Sequence, residues 1–185
     1  MKSFIIDTRE KRKNRGIIFI SMDNINIELT NKLINELNLK IPIDLNQLID
    51  SFTDIQIEYE TNISKNILTK KVDNGYLIQM RNKQFDLTDP KGYKDRFTIA
   101  HELGHLFLGH VDYYKNLYRR GANELEYDAL DFGANLLMPK SEFIESVYAN
   151  LDEDGYCDLN SLSEYFRVPL SAVKTRGKFL GIFPW

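Results

Sequence analysis

The sequence contains little cysteine and histidine and has no long apolar run. Cys157 is the only cysteine among 185 residues. This excludes an intramolecular disulfide and a cysteine-based zinc site, and it is typical of the reducing cytoplasm. No apolar stretch approaches the roughly 20 residues that span a bilayer, and the apolar stretch at the N-terminus is too short for a secretory signal. These absences predict a soluble, cytoplasmic protein with no membrane partner.

A strong charge of one sign is also missing. The formal net charge is −3, and the composition, 43% hydrophobic and 28% charged, is that of an ordinary globular protein. Residues 9–15 are an exception, with five basic side chains in seven, between two β-prone runs at 3–7 and 16–21. We interpret this segment as a solvated hairpin turn. The overall charge gives little support to a nucleic-acid partner.

The most informative segment is His101-Glu102-Leu-Gly-His105, an H-E-x-x-H motif within an apolar run. On an α-helix, residues four apart project from the same face, so both imidazoles can reach one ion. Glu102 lies about 100° further round, where it can act on a metal-bound water. Two of the three histidines in the chain belong to this motif. The pattern predicts a water-activating zinc site.

A catalytic zinc ion requires a third protein ligand and an open position for water. The metzincin pattern does not supply this ligand, because Leu108 and Val111 occupy its later positions. His110 is one residue out of phase, so we place it at the helix end or the rim of the site. We therefore look for an acidic ligand elsewhere in the chain.

A second predicted helix, at 123–138, offers four acidic residues. On this helix, Glu126 shares one face with the small residues Ala129 and Gly133, which would let it approach the motif helix closely. Most acids near a helix N-terminus only solvate it and suit its dipole. The candidates for the third ligand are Glu124, Glu126, Asp128 and Asp131.

Periodicity and capping signals predict a mixed α+β architecture. Strands are predicted at 55–59 and 75–80, and the second of them could pair with an extended peptide substrate. We divide the chain into an N-terminal hairpin-like extension at 1–28, a core at 29–150 and a helical region at 151–185 packed on that core. Helices are predicted at 29–38, 45–52 (capped by Asp44), 94–109, 123–138, 141–149, 158–166 and 169–180.

Two segments resemble the ImmA/IrrE family of metallopeptidases. They are Arg96-Phe-Thr-Ile-Ala-His-Glu-Leu-Gly-His105 and Glu126-x-x-Ala129-x-x-Phe132, which continues to Leu-Leu-Met-Pro139. Weaker similarity extends over residues 40–182. The resemblance implies a zincin-like core with a small sheet beside the motif helix. It also implies His101 and His105 as zinc ligands, Glu102 as general base and Glu126 as third ligand.

The chain departs from this family at one position of the proposed site. The family usually has Asn or Asp after the alanine, where it hydrogen-bonds a ligand histidine, but this chain has Leu130. Either Asp131 takes over that supporting role, or the acidic ligand is Glu124 or Asp128.

The resemblance implies a zinc-dependent endopeptidase that cleaves an intracellular protein, most characteristically a helix-turn-helix repressor. The alternative is a metal-containing protein that sequesters a regulatory partner without cleaving it. A DNA-binding regulator ranks third, suggested by the helix-turn-helix-like pattern of the C-terminal region. The oxyanion donor stays open among Tyr113, Tyr114, Tyr127 and the arginines, because no histidine follows His110.

Overall fold

The computed structural model describes residues 22–61, 67–81, 89–113 and 122–184, in which helices surround a small sheet. The strands are β1 (Ile55–Glu60), β2 (Ile67–Val72) and β3 (Gly75–Arg81), and a 3₁₀ turn covers Pro90–Gly92. The fold is α+β with a zincin-like core, as predicted. The helices are α1 (Met22–Glu36), α2 (Leu45–Asp50), α3 (Tyr93–Phe107), α4 (His110–Tyr113), α5 (Ala122–Leu137), α6 (Lys140–Ala149), α7 (Leu159–Phe166) and α8 (Leu170–Phe179).

The sheet has the strand order β1-β3-β2, with β1 parallel and β2 antiparallel to β3. The central position of β3 explains its almost continuous apolar run, because Tyr76 to Met80 are all buried. Both edges of β3 are already paired. The prediction that 75–80 adds a substrate strand is therefore wrong, since no backbone donors or acceptors remain on that strand for a further partner.

Helices α3 and α5 pack against each other and form the centre of the core. Their inward faces contribute Ile99, Leu103, Phe132 and Leu136, all fully buried. Helix α1 covers α5 from another side, where the Asn26 side chain donates to the Asp128 carbonyl at 3.1 Å and to Asp131 Oδ2 at 2.8 Å. These two hydrogen bonds from Asn26 hold α1 against α5.

The C-terminal region is joined to this core through Arg176 of α8. Its guanidinium is buried, donates to Asn135 Oδ1 at 2.7 Å and lies 3.9 Å from Asp131 Oδ1. Asp158 caps α7 by accepting from Asn160 and Ser161. Because Arg176 points into the protein, it is not available to a DNA phosphate.

Most predicted elements are present, with ends shifted by a few residues. Asp44 caps α2 as predicted, accepting from the Asn46 and Gln47 amides. Helix α1 begins at Met22, so the boundary drawn after residue 28 lies inside a continuous helix. The predictions for residues 3–7, 9–15 and 16–21 lie outside the described residues. Every helix within the described ranges is too short or too polar to cross a bilayer.

Candidate metal centre

His101 and His105 project from the same face of α3, one turn apart, as their spacing predicts. Their Nε2 atoms lie 3.0 Å from each other, with the rings nearly perpendicular at 85°. His105 is buried and His101 is partly buried. Two ring nitrogens at this separation need either a proton or a cation between them, because two lone pairs facing each other repel. The pair therefore forms half of a cation site.

Glu126 of α5 completes the site. Its Oε2 lies 3.2 Å from His101 Nε2 and its Oε1 lies 3.5 Å from His105 Nε2. Tetrahedral zinc with bonds of about 2.0–2.1 Å separates neighbouring ligand atoms by about 3.3 Å. The separations of 3.0–3.5 Å are close to that value, with Glu126 approaching each histidine through a different oxygen, so the three donor groups fit a tetrahedral ion that keeps one position for water. The 46% exposure of the Glu126 side chain, against 5% for His105, means that the site opens on the side of Glu126.

In the described part of the chain, the group of side chains that could hold a metal ion consists of His101, His105 and Glu126, with donor atoms within 4.8 Å of one another. Glu124 and Asp128 are not part of this group. Asp131, the predicted support for a ligand histidine, accepts from Asn26 and faces Arg176. These contacts show Asp131 fastening α5 to α1 and α8.

Glycines allow the two ligand-bearing helices to approach closely. A Cβ built on Gly104 would lie 2.7 Å from the Ala129 carbonyl oxygen, and one built on Gly133 would lie 3.1 Å from the His101 amide nitrogen. The first distance is shorter than any normal contact, so a side chain at Gly104 would force the helices apart. The predicted role of Gly133 in this approach is confirmed, and Gly104 is the tighter of the two contacts.

Glu102 points away from α5 toward the sheet. Its carboxylate accepts a short hydrogen bond from the Thr69 hydroxyl on β2, and the residue is 9% exposed. This hydrogen bond uses Oε2 and leaves Oε1 of Glu102 outside it. Sequence reasoning missed β2 and hence Thr69. The Asp73-Asn74 turn, followed by Gly75 at the start of β3, is the hairpin signal that predicts a preceding strand.

His110 lies just past the end of α3, which is one of its two predicted positions, and it packs behind His105 instead of at the rim of the site. It is buried, and its Nδ1 lies 3.0 Å from His105 Nδ1. A histidine that binds metal through Nε2 carries its proton on Nδ1, and this proton needs an acceptor. His110 Nδ1 can serve as that acceptor when its own proton is on Nε2.

The surroundings of His105 favour its neutral form. Burial lowers the pKa of His105 below its ordinary value, and the charge of His101 lowers it further, while Glu102 and Glu126 partly offset this. A metal binds the neutral imidazole, so a lowered pKa reduces competition from protons.

One oxyanion candidate can be located. The Tyr127 ring packs edge-on against Phe179 at 5.7 Å between centroids, one residue after Glu126. Arg176 is engaged by Asn135 and Asp131. The side chain of Tyr113 and the whole of Tyr114 lie outside the described residues.

Comparison with protein families assigns this region. Residues 92–178, just under half of the chain, match the model of a peptidase family described as the IrrE N-terminal-like domain. The matched segment contains His101, Glu102, His105, His110 and Glu126, and this match confirms the predicted resemblance. Comparison with curated proteins gives no match.

Proposed function

We propose that the chain is a zinc-dependent endopeptidase, on the premise that residues 92–178, which match the IrrE N-terminal-like peptidase model, share that family's chemistry. The observation that carries this proposal is the juxtaposition of His101, His105 and Glu126, whose donor atoms lie within 4.8 Å, beside the buried carboxylate of Glu102. A site that only held a metal would have no need for a second acid, Glu102, which is not one of the proposed ligands.

Zinc held by His101, His105 and Glu126 would supply Lewis acidity, lowering the pKa of a coordinated water to about 7 and polarising the substrate carbonyl. Glu102 accepts a proton from the attacking water and delivers it to the nitrogen of the departing amine. Its hydrogen bond from Thr69 holds the carboxylate in one orientation. Peptide hydrolysis is thereby balanced: water adds across the C–N bond, and Glu102 ends in its starting state.

The proposed substrate is a specific intracellular protein, and a helix-turn-helix repressor is the leading candidate. This part of the proposal is supported by the family resemblance alone, because fold and site chemistry do not encode the substrate. The competing function is sequestration of a regulatory partner without cleavage. The two functions differ in whether the Glu102 carboxylate is needed.

The test is Glu102→Gln, which keeps the size of the side chain and removes the base. We expect this variant to retain zinc and to lose cleavage. Mapping new protein N-termini in host cells that express the wild-type protein, the variant or neither identifies the cleaved proteins directly, whichever protein the substrate is. Glu153→Gln, at an exposed position in the turn before α7, is the matched control and should behave as wild type.

The same experiment separates the parts of the proposal. Cleavage sites that depend on Glu102 and lie in a helix-turn-helix repressor would support both the activity and the substrate class. Sites in an unrelated protein would support the activity and overturn the substrate class. If relief of repression persists in the Glu102→Gln cells, the sequestration function is correct and the endopeptidase proposal fails.

A further inference from the structure

A cavity of about 480 Å³ lies between α3, α5 and α8, beside the candidate metal centre. Its walls are mainly apolar, and neither the two histidines of the motif nor Glu126 lines it. It is therefore a separate space. The apolar lining comes chiefly from Phe97, Tyr127, Leu130, Ala134, Ala172 and Phe179.

The cavity continues the face of the metal centre. Thr98 in its wall precedes His101 by three positions on α3, and Leu130 follows Glu126 by four positions on α5. One helical turn is 3.6 residues and about 5.4 Å long, so both walls begin about one turn from a proposed ligand. Consecutive Cα atoms in a peptide are about 3.8 Å apart. One peptide residue together with its side chain spans a distance comparable to this helical turn.

Three large apolar side chains line the cavity and remain exposed to solvent. Tyr127 is 46%, Leu130 45% and Phe179 52% exposed. Clustered exposed apolar groups on a soluble domain mark a binding surface, because their contact with water is unfavourable. In a peptidase, this arrangement suits an apolar side chain of the substrate.

Two of the three charged groups in the cavity wall, Arg176 and Asp131, face each other, and the third is the exposed Lys94. The Arg176 guanidinium is buried and is already engaged by Asn135 at 2.7 Å and by Asp131 at 3.9 Å. Its positive charge is balanced within the protein by the Asp131 carboxylate. The lining is therefore mainly apolar, with the exposed Lys94 as the cationic group that Asp131 does not face.

We infer that this cavity is the subsite for the substrate residue next to the scissile bond, and that it selects a large apolar or aromatic side chain. The inference rests on the proposed endopeptidase function and narrows its substrate class. It assigns Leu130 and Phe179 as specificity-determining residues. Leu130 also occupies the position at which the resembling family usually carries Asn or Asp, so in this chain that position contributes to the subsite.

The test compares two zinc-binding probes that differ only in side chain, N-acetyl-phenylalanine hydroxamate and N-acetyl-glycine hydroxamate. Binding to the zinc-loaded full chain is measured by calorimetry. We expect the phenylalanine compound to bind at least about tenfold more tightly, as burial of an aromatic side chain provides. Phe179→Ala and Leu130→Ser should each reduce this ratio severalfold. Tyr148→Ala, at a site 70% exposed on α6 that does not line the cavity, should leave it unchanged.

The results that would contradict the subsite inference differ from the result that would contradict the proposed function. If the glycine compound binds but phenylalanine gives no advantage, or if the advantage survives both cavity variants, the subsite inference is overturned and the endopeptidase proposal stands. Failure of the wild-type chain to bind zinc would overturn the proposed function itself. Concentration-dependent dimerisation abolished by Phe179→Ala would assign the apolar surface to a second copy of the chain and would also overturn the inference.

Discussion

At the scale of single residues, the two histidines proposed as ligands differ in how they are supported. His105 Nδ1 lies 3.0 Å from His110 Nδ1, whereas the buried Nδ1 of His101 has no hydrogen-bond partner in the described part of the chain. Leu130 cannot supply one, since its side chain has no polar atom. His105 is therefore the better oriented ligand, and its support comes from a histidine that the spacing of the motif does not predict.

Replacement of His110 by alanine tests this support. The His110→Ala variant should bind zinc about 10–100-fold more weakly, as is typical when the hydrogen-bond partner of a ligand histidine is removed. His110→Asn keeps a possible acceptor oxygen and should give an intermediate affinity. The measurement is competition for zinc against a chelator of known affinity.

A second readout separates positioning from general damage to the fold. The ¹⁵N chemical shifts of His105 report which ring nitrogen carries the proton, and this should change in His110→Ala while the unfolding transition of the rest of the domain stays cooperative. Equal zinc affinities for the wild type and His110→Ala would contradict the assigned role.

At the scale of elements, the site depends on how closely α3 and α5 approach. Gly104→Ala adds a methyl group that would lie 2.7 Å from the Ala129 carbonyl oxygen, so the helices must separate. Alanine is better than glycine in a helix by about 1 kcal/mol. Overpacking a tight contact costs about 1–3 kcal/mol, and here the neighbour is rigid backbone. We expect a net loss of stability and a weaker zinc site, because Glu126 moves away with α5.

Gly133→Ala adds the same methyl group at a less crowded point of the contact between α3 and α5, and it is therefore compared with Gly104→Ala. Its added methyl group would meet the His101 amide nitrogen at 3.1 Å, a less severe contact. Denaturant unfolding and zinc titration should therefore rank the variants as wild type, Gly133→Ala and Gly104→Ala in order of decreasing stability and affinity. A Gly104→Ala protein that is more stable than the wild type, with unchanged zinc affinity, would show that this approach does not position the ligands.

The elements that carry the site are also the ones that the sequence predicts best. Helices α3 and α5 agree with their predicted ranges to within two residues at each end, because each has a long apolar period. Strand β2 was missed, since Lys70 and Lys71 interrupt its apolar pattern at the edge of the sheet. The partner of Glu102 was missed with it.

The packing of the helices determines two features of the site that helical periodicity does not predict, namely the acidic side chain that completes it and the partner of His105. Local spacing on α5 left four acids as alternatives for the third ligand: Glu124, Glu126, Asp128 and Asp131. The approach of α3 and α5 at Gly104 brings Glu126 to the two histidines. Likewise, the contact between His110 and His105 depends on how the chain turns after Phe107, and a helical repeat does not contain that information.

At the scale of the whole molecule, the account predicts chemistry that depends on metal and not on a thiol. Burial raises the pKa of the Cys157 thiol above its usual value, and the nearby charge of Asp158 raises it further. A raised pKa lowers the thiolate fraction at neutral pH, so Cys157 is a weak nucleophile. Cleavage should survive Cys157→Ser and iodoacetamide.

A metal chelator should have the opposite effect. Incubation with 1,10-phenanthroline should reduce cleavage to background, and addition of zinc should restore it. The reason is that the ion, and not its protein ligands, would lower the pKa of the attacking water. The cleavage assay uses the protein whose new N-terminus depends on Glu102. Loss of cleavage on alkylation of Cys157, with no effect of the chelator, would contradict a zinc mechanism.

Zinc titration of matched variants of the full chain is the sharpest test of whether Glu126 joins His101 and His105 around one zinc ion. The account predicts one zinc per wild-type chain, an affinity lowered by at least about 100-fold in Glu126→Ala through loss of a ligand, and wild-type affinity in the control Glu124→Ala. Zinc bound equally well by Glu126→Ala but lost from Glu124→Ala would contradict the account.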